Sequence, residues 1–150
     1  MENYLPIERA RNVLLRTWLI GTLILFLILI IQTLSGTFEI TTDAGVANQA
    51  QKVWGWFIPL VFPTLALMFS VVGLSATSKQ PIGTSFKKGF YRIVLFLSFL
   101  YLIIVALLIL LWPMFKYENP LDVFNLSNLF IGPFQGLLVA AIGYLFSNKQ

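Results

Sequence analysis

At 150 residues, with 58% hydrophobic and 11% charged side chains and a mean hydropathy of +0.85, the chain is too apolar for a water-soluble globule, where about a quarter of residues are charged. It contains no cysteine and no histidine, which excludes disulfide scaffolding, Cys/His zinc sites and Ser-His or Cys-His nucleophile pairs. Its net charge of +4 does not point to nucleic acid, because the bases flank apolar segments instead of clustering among aromatics on a polar domain.

Residues 1–16 set Glu2 and Glu8 against Arg9, Arg11 and Arg16, and from Val13 to Leu34 the chain is almost purely Leu, Ile and Phe. This run has spanning length, no small-x-small cleavage site and a polar end at Gln32-Thr33-Leu34-Ser35-Gly36. It is expected as an uncleaved first transmembrane helix over 12–34. The polar segment that follows includes Glu39 and alternates weakly like a strand from Thr37 to Thr42. Asp43 is then placed to cap a second helix, expected over 44–76. Pro59 and Pro63 lie in its first half and each removes a backbone donor, so carbonyls near Gly55 and Pro59 must find partners elsewhere. A basic loop with Lys79, Lys87 and Lys88 and the turn Pro81-Ile82-Gly83 leads to a third helix over 86–113, relieved by Ser98, Tyr101 and Ala106. After a short loop with Lys116, Glu118 and Asp122, a fourth helix is expected over 123–147.

With four spans, Arg9, Arg11, Arg16, Lys79, Lys87, Lys88, Arg92 and Lys149 fall on one side, and Lys52 and Lys116 on the other. The positive-inside rule makes the first side cytoplasmic, with both termini inside. Trp54, Trp56, Trp112 and Tyr117 then mark the outer boundary, and Trp18, Tyr91 and Tyr144 the inner one. The localisation implied is an integral protein of a plasma membrane or a bacterial inner membrane.

The last span carries the densest set of unusual residues. Gly132 and Gly136 make a Gly-x-x-x-Gly spacing around Pro133 and Gln135, and Pro133, Gly136, Ala140, Gly143 and Ser147 form a small-residue stripe at steps of three and four. Seventy residues earlier, Pro63, Ala66, Ser70, Gly73 and Thr77 repeat that stripe, and Pro59 extends it by a turn. Such stripes are packing surfaces between membrane helices. Two repeated helical hairpins are one reading of the match; coincidence among common membrane residues is the other. Either way the second and fourth helices are expected against protein and the bulky first and third against lipid.

Gln135 reads either as a pore-lining amide or as an interhelical hydrogen bond that holds the bundle together, the commoner use. Thr64 and Ser70 are further candidate polar lining. The prolines either break helices along a path or only kink them. Glu39, Asp43, Glu118 and Asp122 form a possible acidic outer mouth, with solvated loop charge and helix capping as the plain alternative. Asn125-Leu126-Ser127 matches a glycosylation sequon but abuts the membrane and suits a helix start. The loop with Lys79, Lys87 and Lys88 is a candidate contact for lipid head groups or a cytosolic or membrane partner. No intramembrane acid, base or metal ligand is present, so neither an enzyme nor a cofactor or metal site is expected.

The expectation is therefore an all-α integral membrane protein, a single four-helix transmembrane domain over 1–150, N-in and C-in and self-associating. Two functions fit it: a channel-like or membrane-permeabilising oligomer, and a non-enzymatic accessory or scaffold subunit of a larger membrane complex.

Overall fold

Apolar runs of this length leave the backbone one economical choice in lipid, a helix that satisfies its own N–H and C=O groups. In a computed structural model that describes residues 4–42, 45–77, 85–114 and 120–147, those runs are four long helices packed as a bundle, each long and apolar enough to cross a membrane. In chain order the elements are β1 (Tyr4–Pro6), α1 (Ile7–Leu34), β2 (Glu39–Thr42), β3 (Gly45–Asn48), α2 (Ala50–Thr77), β4 (Ser85–Lys87), α3 (Lys88–Leu111), a 3-10 turn (Trp112–Met114) and α4 (Pro120–Ser147).

α1 packs on α2 and α3, and α4 packs on the same two, so the helices close in the ring order α1, α2, α4, α3. The two sequential hairpins thus lie side by side. A twofold axis along the bundle would instead set α1 diagonally across from α3. α2 and α4 have 28 residues each, and in the register that aligns Pro63 with Pro133 some of their buried positions coincide, Val53 with Val123, Val61 with Ile131 and Met68 with Leu138, whereas buried Trp56 and Leu60 fall on exposed Leu126 and Phe130. α1 and α3, with 28 and 24 residues, share a buried pattern at an offset of 80: Leu14 with Val94, Trp18 with Ser98, Thr22 with Leu102, Leu25 with Val105 and Leu29 with Ile109.

Each end of the bundle is tied by its own local chemistry. α1 stops in a Schellman motif: Gly36 takes the left-handed φ of +72°, Thr37 N–H reaches Gln32 O at 3.0 Å and Gly36 N–H reaches Thr33 O at 3.3 Å, satisfying carbonyls the helix leaves orphaned. The chain then forms the β2–β3 hairpin, with Glu39 opposite Asn48, and its Phe38 is buried by stacking on Trp112, ring centroids 5.6 Å apart. At the opposite end β1 pairs antiparallel with β4, Leu5 opposite Phe86, fastening the start of α1 to the start of α3.

Four expectations need correction. α2 does not start at residue 44: residues 45–48 are strand, the helix begins at Ala50, and its first amide is capped by Asn48 Oδ1 at 2.8 Å, while Asp43 lies outside the described residues. α4 begins at Pro120, so Asn125 and Ser127 lie inside the helix, and Ser127 is buried with its hydroxyl donating to Phe124 O at 2.6 Å. The supposed division into lipid-facing and buried helices is absent, since α1 and α4 bury 28% of their apolar windows and α2 and α3 33%. Trp18 is no boundary residue: it is fully buried, stacked on Tyr101 at 5.7 Å.

Candidate functional site

The small-residue stripes lie on the outside of the bundle. Pro59, Pro63, Ala66, Ser70 and Gly73 on α2 are exposed, as are Gly132, Pro133, Gly136 and Ala140 on α4, with Gly143 half-buried. A Cβ built on Gly73, Gly132, Gly136 or Gly143 would meet no atom within 4 Å. The core-facing sides of these helices carry large residues instead: Phe57, Val61, Leu65 and Met68 on α2, and Phe124, Ile131, Leu138 and Ile142 on α4. Trp56 packs on Phe124 at 4.5 Å and Tyr101 on Phe134 at 5.7 Å, so within one chain the helices meet through aromatic and branched side chains. The stripes therefore make no close helix packing inside this chain.

Gln135 faces sideways onto α2. Pro63 has no N–H, so the carbonyl of Pro59, one helical turn earlier, lacks its intrahelical donor. Gln135 Nε2 donates to that oxygen at 2.9 Å and to the adjacent Leu60 O at 3.1 Å. The Tyr101 hydroxyl donates to Leu60 O from the diagonal helix at 3.0 Å, and Tyr101 is fully buried. Three helices thus converge on the Pro59–Pro63 turn of α2. The amide thus links α4 to α2 through two hydrogen bonds. From the sequence, Tyr101 reads only as a polar interruption of α3.

Of the other candidate lining residues, Thr64 is fully buried, and its hydroxyl carries no hydrogen bond among the described residues; the same holds for the hydroxyls of Thr22 and Ser98 and for Trp18 Nε1. Ser70 is exposed, its hydroxyl turned back to Leu67 O at 2.8 Å. Glu39 is exposed in the hairpin and Asp122 lies in the first turn of α4, where a carboxylate complements the positive end of the helix dipole; Glu118, like Asp43, lies outside the described residues.

Arg11, read from the sequence only as a topogenic charge, is a structural residue. It is 8% exposed, with Nη2 donating to Phe146 O at 2.6 Å and Nε to Leu145 O at 3.3 Å, and its guanidinium carbon lies 5.6 Å from the centre of the Phe146 ring. It caps the last turn of α4, where orphan carbonyls and the negative end of the dipole attract a cation. A sequence signal for this existed: Arg11 shares a helical face with Leu14, Trp18, Thr22 and Leu25, all buried. At the hairpin end, Gln32 Nε2 donates to Ile109 O at 2.9 Å, Trp54 Nε1 to Thr33 Oγ1 at 3.1 Å and Trp56 Nε1 to Asn128 Oδ1 at 3.1 Å. Every helix is thereby cross-linked by at least one polar contact.

The described bases divide by end. Arg9, Arg11, Arg16, Lys87, Lys88 and Arg92 lie toward the β1–β4 end, and Lys52 lies at the β2–β3 end; Lys79 falls outside the described residues. Among the described residues no three His, Cys, Asp or Glu side chains are grouped to hold a metal ion. No family model, curated protein or solved structure matches the chain.

Proposed function

We propose that this chain is a non-enzymatic accessory or scaffold bundle, N-in and C-in, that works by lateral association in the bilayer with copies of itself or with other membrane proteins. The observation that carries this reading is the use of Gln135: its amide donors are spent on Pro59 O and Leu60 O instead of facing a path. Trp18, Phe57, Tyr101, Ile131 and Leu138, all fully buried, fill the space between the helices. What remains for function is the outer surface, where the stripes of α2 and α4 would let another helix approach closely. The absence of histidine and cysteine, and of acids within the apolar spans, supports a role without chemistry.

The channel-like reading is supported by one feature, the outward Pro59, Pro63, Ser70 and Pro133, which would border a path only if several copies ringed it. Mass measurement of the purified chain in nanodiscs, paired with ion flux in liposomes from the same preparation, separates the readings. A stable assembly that passes no ion is the expected result. Flux that scales with the assembled fraction would replace the scaffold reading with the channel.

A further inference from the structure

The outer side of the α1–α3 seam is a groove of about 430 Å³ that plays no part in the proposed association surface, and its lining is almost wholly hydrocarbon. Ile20 and Ile24 on α1 and Ile103 on α3 form its exposed walls at 59%, 52% and 52% exposure, and Ala106 leaves one side low. Its floor lies at Gly21, where the helices approach so closely that an added Cβ would sit 2.7 Å from Leu102 Cδ1. Such a trough on a bilayer-facing surface is a slot for a hydrocarbon chain.

The groove has one charged end. Arg16 lines it, is exposed, and makes no hydrogen bond or ion pair among the described residues. The adjoining Thr17 hydroxyl turns back to Val13 O at 3.0 Å and does not compete for a ligand there. From Thr17 to the end of α1 no charge follows, a stretch of roughly 27 Å at 1.5 Å per residue, close to the ~30 Å of a bilayer hydrocarbon core. Arg16 therefore sits at the edge of the hydrocarbon, at the depth of lipid phosphates. From Arg16 to Leu25 the groove runs roughly 14 Å, close to the half-thickness of that core, about 15 Å. A guanidinium at phosphate depth over an apolar slot one leaflet long matches the two halves of a phospholipid.

We propose that the α1–α3 groove binds one acyl chain of an anionic phospholipid from the leaflet adjoining the β1–β4 end, with Arg16 pairing with its phosphate. Arg9 and Lys87 at the same end favour an anionic over a zwitterionic head group, whose own cation would meet the same field. This site is independent of any association through α2 and α4.

The test uses the full chain in detergent, with native mass spectrometry after addition of dioleoyl phosphatidylglycerol or dioleoyl phosphatidylcholine, which share acyl chains and differ in head-group charge. Wild type should retain phosphatidylglycerol preferentially. Arg16→Gln should weaken it about fivefold, the effect of roughly one interfacial base, and should weaken phosphatidylcholine by a smaller factor, since that lipid carries the same phosphodiester beside its own cation. Ala106→Phe, which fills the slot and keeps every charge, should weaken both lipids. Arg92→Gln, equal in charge change but outside the groove, should leave retention within about twofold. Equal losses for Arg16→Gln and Arg92→Gln would overturn the site in favour of diffuse surface attraction, as would full lipid retention by Ala106→Phe.

Discussion

Gln135→Leu removes both amide hydrogen bonds to the proline turn of α2, and its cost follows from what each carbonyl keeps. Leu60 O keeps the Tyr101 hydroxyl at 3.0 Å, whereas Pro59 O has no helical donor to fall back on four positions on, where Pro63 stands. Hydrogen bonds between membrane helices are worth about 0.6 kcal/mol on average and up to about 1.7, and a carbonyl left without a donor costs about 1–3 kcal/mol. The expected loss is therefore about 1.5–2 kcal/mol of bundle stability. Tyr101→Phe should cost less, about 0.5–1 kcal/mol, since Leu60 O still has Gln135. The decisive comparison is a double-mutant cycle with Pro63→Ala, which restores an N–H to Pro59 O. In that background Gln135→Leu should cost about 1 kcal/mol less than in the parent chain. Steric trapping in bicelles, read by tryptophan fluorescence, measures all four corners. An equal cost of Gln135→Leu in both backgrounds would refute the claim that the amide replaces the donor proline removed.

Arg11→Ala should destabilise the bundle by about 1.5–3 kcal/mol, because it strips a charged donor from two buried carbonyls. Arg11→Lys should recover part of this, since an ammonium lacks the forked geometry, and the same unfolding assay reads both. Gly136→Leu should leave single-chain stability within about 0.5 kcal/mol, as nothing lies within 4 Å of its Cβ. It should nonetheless lower self-association measured by native mass spectrometry, and equal effects from Leu107→Ile on α3 would contradict the assignment of the α4 stripe as the association face. For orientation, cysteines at Val46 and Lys87, at opposite ends of the bundle and both exposed, should react with an impermeant thiol reagent from opposite sides, Val46→Cys from outside. Labelling from one side only would break the four-span arrangement.

The number of long apolar helices was legible because one property dominates them: lipid offers the backbone no partners, so long apolar runs must become helices. The carbonyl that Pro63 leaves free at Pro59 was legible for the same reason, as backbone accounting is local. Helix starts were less so, because Asp43 and Asn48 are both good caps and only the β2–β3 pairing shows that the chain is still extended between them.

What the sequence determined by itself was four helices long and apolar enough to cross a membrane, and an inventory of polar groups needing partners. Only the tertiary structure decided which side of each helix faces inward. In water the inward face announces itself as the apolar one; in a bilayer lipid tails are as apolar as Leu, and the contrast that orients a helix disappears. Small-residue periodicity then located a stripe without saying what it meets, and Phe57, Phe124 and Ile131 took the interior while Gly136 and Ala140 faced out. The partners of Gln135, Tyr101 and Arg11 were hidden for a related reason. Each bonds a backbone carbonyl 41 to 135 positions away, and carbonyls look alike in a sequence until the fold selects one.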